Sequence, residues 1–416
     1  MKTYDVAVIG GGPAGLAAAI AAYDAGAKEV IIFERENRAG GILNQCIHNG
    51  FGLTRFKESL TGPEYAARFI EEVDKRAIKV LTETTVLSLS SDKIITAISP
   101  EEGVFSVKAK AVILCTGCRE RSRGALNIAG SRPAGIYSAG TAQKYANIKG
   151  YLVGKNVVIL GSGDIGLIMA RRMTLEGAKV HAVCELMPYS SGLKRNIVQC
   201  LDDFGIPLYL SHTITKIEGN GRVTGVEVSA VDENKRPIKG SEMHFDCDTV
   251  LFSVGLIPEN EIAEGAGVEV SPSTKGAAVY QTRETSVSGV FACGNALQVH
   301  DLVDFVSEES EIAGKYAAEY ALHGEKRGET VTVENGEKIG YVLPQKIDKS
   351  VKGDVKLFMR VTGVYKNCAL KVTCGDKEII RIKKRVVAPG EMEKITLTEQ
   401  KLAECTGKIV VSLEVE

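Results

Sequence analysis

No apolar stretch in this sequence runs unbroken for the ~20 residues that a membrane-spanning helix needs. The longest candidate, Val6 to Tyr23, is interrupted by Gly10, Gly11, Gly12, Pro13 and Gly15. Charge of one sign is lacking too. Lys and Arg number 51 against 52 Asp and Glu, for a net charge of −1. That balance offers no basic field for nucleic acid and no polybasic anchor for a membrane surface. Histidine occurs 6 times, and no His/Cys/Asp grouping has metal-ligand spacing, so no metal site is expected. The start of the chain lacks the basic region and polar cleavage segment of a secretory signal. The 10 cysteines are therefore read as thiols of a cytoplasmic protein, not as a disulfide framework. Tryptophan is absent, which excludes little.

What is present is a pair of glycine-rich loops in matching frames. Val6-Ala7-Val8-Ile9 leads into Gly10-Gly11-Gly12-Pro13-Ala14-Gly15, and Val157-Val158-Ile159-Leu160 leads into Gly161-Ser162-Gly163-Asp164-Ile165-Gly166. Each begins from a strand-like run and continues into a helix-like one. A second apolar run then ends in an acid, Glu34 or Glu185, which lies 24 residues beyond the first glycine in both cases. The first glycine permits a tight turn, the second lets the backbone approach a pyrophosphate, and the third lets helix and strand pack closely. The phosphates then lie on a helix N-terminus, where free N–H groups and the helix dipole favour negative charge. The acid suits ribose hydroxyls. Two such cradles imply two dinucleotides, the arrangement by which a hydride passes between a nicotinamide and a flavin.

The 416 residues suggest about three domains, and 44% hydrophobic with 25% charged residues is ordinary for a globular chain. The fold class expected is α/β: two Rossmann-like three-layer domains and a small C-terminal all-β domain. Residues 1–118 and 257–326 form the first, discontinuous domain, 119–256 the second, and 330–416 the third. Val254-Gly255-Leu256-Ile257-Pro258 is a glycine–proline break suited to a crossing between domains. A helix is expected from about Ser307 to Leu322, with Asp304 or Ser307 as N-cap. In the tail, Val355, Leu357, Met359 and Val361 alternate with polar or larger residues, as do Ile409, Val411, Leu413 and Val415, which is strand periodicity. Gly375-Asp376 marks a turn between two such runs.

These residues resemble the FAD-dependent pyridine nucleotide–disulfide oxidoreductases, in the domain order of the compact thioredoxin reductases. Four segments carry the likeness: the first loop with Glu34, the strand end Ile113-Leu114-Cys115-Thr116-Gly117, the second loop with Glu185, and Thr285 to Asn295. The last fits T-x-x-x-x-V-F-A-x-G-D except that Asn295 replaces the final Asp. Gly40 to Gly52 and Cys118 to Gln143 are similar to the FAD/NAD alpha subunits of heteromeric dehydrogenases. Those include opine oxidases, dye-linked proline dehydrogenases, hydrogen cyanide synthase and a flavoprotein associated with glycerol-3-phosphate dehydrogenase. The resemblance implies FAD held by Gly10, Gly12, Pro13, Ala14, Gly15, Glu34, Arg35, Gly41, Val86, Thr116, Gly117, Gly294 and Asn295. It implies NAD(H), rather than NADP(H), held by Gly161, Gly163, Asp164, Ile165, Gly166, Glu185 and Gly255. A carboxylate at Glu185 repels a 2′-phosphate, and Lys194 with Arg195 reads as a solvated helix face. Asn295 would keep a polar contact with the ribityl chain without the charge.

Some alpha subunits of that kind carry an iron–sulfur cysteine cluster in the tail. Here only Cys368, Cys374 and Cys405 lie there, spaced unlike such a site, and no cluster is expected. Thioredoxin reductases need a Cys-x-x-Cys pair before the second loop. The corresponding Ser138-Ala139-Gly140-Thr141 has no cysteine. Cys115-Thr116-Gly117-Cys118 has the spacing, but Cys115 ends a buried strand and Thr116-Gly117 forms the flavin-domain turn. Cys46, His48 and His300 are the candidate catalytic residues. Cys46 is either a thiolate near the ring or a small buried filler. His300-Asp301 with Asp304 is a candidate for proton handling. The leading reading is a flavoenzyme lacking the redox disulfide that exchanges hydride between NAD(H) and FAD, with a second flavoprotein dehydrogenase subunit as partner. A free-standing NADH oxidase or reductase, a docking scaffold that turns nothing over, and a homo-oligomer remain open.

Overall fold

The computed structural model describes residues 1–325 and 327–415. The chain divides into two compact units, one of residues 1–44, 49–118 and 258–416, the other of residues 45–48 and 119–257.

In the first unit the loop-bearing strand Thr3–Ile9 lies between Val30–Phe33 and Gly103–Leu114, parallel to both, with Ile9 opposite Phe33 and Leu114. Lys79–Leu81 and Val290–Ala292 add further parallel strands, and Thr85–Leu89 with Ile94–Ser99 completes seven strands through antiparallel pairing. The central strands are apolar at Val6–Ile9, Val30–Phe33 and Ala111–Leu114 because both faces are covered there. Val6 and Val8 face a core built with the helices Pro13–Asp24, Gly62–Lys75 and Val303–His323, while Ala7 and Ile9 face the opposite core. That alternation is the two-residue period of a strand. Helix Gly62–Lys75 starts at a capping box, with Glu64 N–H donating to the Thr61 hydroxyl and Glu64 Oε2 accepting from Thr61 N–H at 2.7 Å.

Pro13–Asp24 is alanine-rich because it packs against a stripe of small residues, Ala313, Gly314, Ala317 and Ala318, on helix Val303–His323. A Cβ at Gly314 would fall 2.1 Å from the Ala18 carbonyl oxygen, so the close approach requires glycine there.

Helix Val303–His323 begins one turn earlier than its sequence suggested, with Leu302 at the N-cap position and no side-chain cap. Asp304 and Ser307 are used elsewhere. Asp304 Oδ2 accepts from the Thr54 and Arg55 amides at 2.7 and 3.2 Å, and the Ser307 hydroxyl meets Tyr65 OH at 2.8 Å.

In the second unit five parallel strands run in the order Ile136–Ser138, Thr249–Phe252, Asn156–Leu160, Lys179–Glu185 and Leu208–Leu210. Val157 and Ile159 face the helices, including Asp164–Leu175. Val158 and Leu160 face an antiparallel sheet built on His212–Asn220, Arg222–Ala230 and Met243–Asp246. That gives three layers.

The tail forms a five-stranded and a three-stranded sheet around its own apolar core. Tyr365–Cys374 and Lys377–Val387 make a hairpin across Gly375-Asp376, with Gly375 at φ 56°. The tail's Leu343 and Phe358 also enter the core beneath the first unit's sheet. Cys374 and Cys405 form a disulfide, against the expectation of thiols only. The pairing of Tyr365–Cys374 with Ile409–Val415 brings together two cysteines 31 residues apart, a proximity that spacing did not reveal. Among the described residues no helix is long and apolar enough to cross a membrane.

Candidate functional site

Each glycine of the two loops has a separate geometric reason. Gly10 and Gly161 have φ of 107° and 98°, in the left-handed region that side chains avoid. A Cβ on either would collide with a neighbouring carbonyl oxygen, Cys115 O at 2.3 Å or Ser253 O at 2.1 Å. Gly15 and Gly166 face the loop's own start, with Gly10 O 1.8 Å and Gly161 O 2.6 Å from an added Cβ. The middle glycines differ. Around Gly12 the nearest atom is Gly41 Cα at 3.9 Å, and around Gly163 the Ser253 hydroxyl at 3.5 Å. The backbone at each middle glycine is thus open at a helix N-terminus, where a pyrophosphate fits.

The two acids hold their loops alike. Glu34 Oε2 accepts from Gly11 N–H at 2.9 Å, and Oε1 accepts from Glu36 N–H at 2.8 Å. Glu185 Oε2 accepts from Ser162 N–H and its hydroxyl at 2.9 and 2.6 Å, and Oε1 from Met187 N–H at 3.0 Å. A carboxylate has about four acceptor sites. Glu34 keeps one site open on each oxygen and Glu185 keeps one on Oε1, so both suit ribose hydroxyl donors.

In the first unit Gly41 and Gly294 close on the first loop. A Cβ at Gly41 would lie 2.8 Å from Gly12 Cα, and one at Gly294 would lie 2.7 Å from Ala14 Cβ. Gly294 therefore sits beside the start of the loop helix. Pro13 opens that helix. Val86 is buried in the sheet's lower core and Arg35 is exposed. Thr116 donates its hydroxyl to Glu259 O at 2.6 Å, and Gly117 O accepts from Glu259 N–H at 3.0 Å, tying the strand end to the returning chain. Asn295 accepts from His300 N–H at 3.1 Å through Oδ1, and its Nδ2 lies 3.6 Å from Cys118 Sγ.

In the second unit Asp164 faces the segment after the sheet. Its Oδ1 accepts from Leu193 N–H and Asn196 Nδ2 at 2.8 and 2.7 Å, holding Leu193–Asn196 against the loop helix. Ile165 packs on the helix-side core, and Gly255 has φ 100° with open space about it.

The three catalytic candidates fall in two units, each in its own surroundings. Residues 45–48 group with the second unit. Gln45 donates to Gly140 O and to Gln143 Oε1 at 2.9 and 3.0 Å, Asn147 donates to Gln45 O at 2.8 Å, and Cys46 Sγ lies 3.7 Å from Gln143 Oε1. Burial pushes the Cys46 thiol up to about 12, so it is no thiolate at neutral pH. Burial, and then the nearby Arg195 and Arg171, lower His48 to about 4. His300 lies in the first unit but does not join Asp301 and Asp304. Its Nε2 is 3.2 Å from Glu309 Oε1, whereas Asp301 pairs with Arg360 at 3.1 Å.

Glu309 was not singled out from sequence. It is fully buried on Val303–His323 and accepts from Gly294 N–H at 3.0 Å and from Gln298 Nε2 at 2.8 Å, with Arg283 Nε 3.6 Å away. Burial alone would raise this carboxyl, but His300, Arg283 and Gln298 hold it below its usual value. It fixes the Gly294 turn. Its only sequence signal was an acid inside an otherwise small-residue stripe.

Cys115 Sγ lies 3.4 Å from Cys293 Sγ, and burial pushes its thiol well up. Neither Cys115 nor Cys118 is in a disulfide. Among the described residues no acid, histidine and cysteine grouping could hold a metal ion.

A family model described as pyridine nucleotide-disulphide oxidoreductase matches residues 4–309. An opine oxidase subunit of Agrobacterium tumefaciens (strain Ach5) is 21% identical over 99% of this chain and 85% of that relative. An alkyl hydroperoxide reductase subunit of Pseudomonas aeruginosa is 29% identical over 71% of this chain, and the match spans about half of that relative, 54%. The structure of T. acidophilum thioredoxin reductase superposes with a TM-score of 0.61 at 26% identity, covering 77% of this chain and 98% of that one.

Proposed function

We propose, since this chain belongs to the pyridine nucleotide–disulphide oxidoreductase family, whose members are oxidoreductases using FAD and NAD(P)H, that it exchanges hydride between NAD(H) and FAD without a redox-active disulfide. We further propose that it does so as one subunit of a heteromeric dehydrogenase whose partner oxidises a small substrate. The observation that carries the reading is the matched pair of cradles, each with an open middle glycine and a buried acid.

The first cradle fits FAD through Gly10, Gly12, Gly15, Glu34 and Gly294, and the second fits NAD(H) through Gly161, Gly163, Gly166 and Glu185. The bound cofactors supply the redox chemistry; the chain supplies binding and orientation. Glu34 and Glu185 orient the adenosine ends while pinning their own loops. The N-termini of Pro13–Asp24 and Asp164–Leu175 stabilise the phosphates. Glu309 holds the Gly294 turn.

The absence of a cysteine pair at Ser138-Ala139-Gly140-Thr141, and the position of Cys115 beside Cys293, support electron exit by a route other than a protein dithiol. The match to an opine oxidase subunit over nearly the whole chain, tail included, supports the subunit reading. Purification from the source cells under gentle conditions tests it. Co-purification of a second flavoprotein at fixed stoichiometry is expected. A single-component protein rapidly reoxidised by air speaks for a free-standing oxidase instead.

A further inference from the structure

A cavity of about 220 Å3 lies in the first unit between helix Val303–His323 and the tail segment that leads into strand Val355–Val361. Its wall includes Gln281, Arg283, Lys315, Lys352, Asp354 and Lys356, four cations against one acid. The lysines are exposed and each keeps an acidic neighbour: Glu319 at 3.9 Å from Lys315, Glu399 at 3.4 Å from Lys352, and Glu308 in contact with Lys356.

Arg283 is different. It is only 1% exposed, the largest side chain so deeply buried, and its backbone sits at φ 69°. A charged residue with a side chain in that conformation is held there by its surroundings at a cost. Only Nη1 of the guanidinium makes a hydrogen bond among the described residues, and Nε has an ion-pair neighbour alone. Nη1 donates to Gln281 O at 3.1 Å, and Nε faces Glu309 Oε2 at 3.6 Å. The guanidinium carbon lies over the Phe358 ring, 5.9 Å from its centroid. Nη2 is buried and has no hydrogen-bond partner among the described residues. An orphaned buried donor costs about 1–3 kcal/mol, more when charged.

We infer that this cavity is a binding site for a small multivalent oxyanion, a phosphate or a dicarboxylate, received by Arg283 Nη2 and flanked by Lys315, Lys352 and Lys356. Nη2 has only protons to offer, so its partner must be an acceptor, and guanidinium geometry matches carboxylate and phosphate oxygens. Each lysine has one carboxylate neighbour and further N–H protons to offer, so a ligand that recruits lysines alongside Nη2 carries more than one negative charge. The volume falls below the ~300–1,000 Å3 of pockets for drug-sized ligands, which suits a small ion and not a nucleotide. None of the lining residues belongs to either glycine loop, and the inference does not depend on which nicotinamide cofactor the chain uses.

The test titrates the flavin-loaded full chain with inorganic phosphate and, separately, with succinate, at constant ionic strength in chloride. Acetate is the monovalent control, and the thermal unfolding midpoint is the readout. A saturable rise with phosphate or succinate is expected, and whichever acts at the lower concentration identifies the ligand chemistry. In the double variant Lys315→Glu, Lys352→Glu, whose side chains are exposed, the half-saturating concentration should increase at least tenfold. The inference is overturned if neither dianion gives a saturable rise, if acetate acts equally well, or if the double variant leaves half-saturation unchanged. Arg283→Lys, which keeps a charge but removes the fork, should weaken the response further if it folds.

Discussion

The carboxylate of Glu34 accepts the Gly11 amide at 2.9 Å, and Glu185 accepts the Ser162 amide at the same distance. Each acid lies 23 residues beyond the amide it holds, so the strand that follows each loop helix clamps the loop that opens that helix. An acid chosen only for a ribose would not need that contact. Here one group both shapes the cradle and leaves acceptor sites facing the space beyond it.

Reversing the second acid tests its half of this relationship. Glu185→Arg removes the remaining acceptor site and offers a cation to a 2′-phosphate. The KM for NADH should rise about tenfold or more, since hydrogen bonds to charged groups contribute about 1.5–3 kcal/mol. The KM for NADPH should rise much less. Steady-state kinetics with both nucleotides decide it, and equal losses would remove Glu185 from its assigned role.

Helix packing under the first cradle gives a stability prediction. Gly314→Val places a branched side chain where even a Cβ meets the Ala18 carbonyl at 2.1 Å. Overpacking of this kind costs about 1–3 kcal/mol. Denaturant unfolding should show a lower midpoint, and FAD retention should fall with it because helix Pro13–Asp24 carries the loop. An unchanged midpoint would contradict the close approach.

His48 sets a pH dependence. Its folded value near 4 lies below the 6.5 of an exposed histidine, because burial, Arg195 and Arg171 disfavour its charged form. The unfolded chain therefore binds more protons between about pH 4 and 6.5. Stability contributed by this group is present above 6.5 and is lost as pH falls through that window, by up to about 3 kcal/mol. His48→Gln should flatten the acid limb of stability against pH over that range. An identical limb in wild type and variant would show that His48 does not titrate this way.

Cys118→Ser tests the proposal that no disulfide relays electrons. Cys115 faces Cys293 at 3.4 Å, and neither Cys115 nor Cys118 is joined in a disulfide. Reduction of the flavin by NADH should be unaffected, within about twofold in rate. Stopped-flow absorbance measures this, and abolished reduction would restore the disulfide route.

The cradles were legible because their requirements are local. A strand, a tight turn, a helix and an acid at fixed spacing lie within one stretch of chain, so Gly10 to Glu34 and Gly161 to Glu185 carry their own geometry. The tail's alternation at Val355–Val361 was legible for the same reason. Contacts formed across long separations were not. Gln45 joins Gly140 over 95 residues, which removes Cys46 and His48 from the first unit. Glu309 meets Gly294 across only 15 residues, but an acid inside a helix that holds a glycine turn has no spacing rule to announce it, and Cys374 meets Cys405 only once the tail's sheet has formed. The start of helix Val303–His323 was misplaced because Asp304, a good N-cap by type, caps the turn at Thr54–Arg55 instead.

The central claim is that two cradles in one chain bring a nicotinamide and a flavin into hydride exchange. Anaerobic titration of the FAD-loaded protein with NADH tests it most directly. The account predicts that the visible flavin absorption is lost in proportion to added NADH, complete at one NADH per flavin. A flavin that stays oxidised through excess NADH and excess NADPH would contradict it.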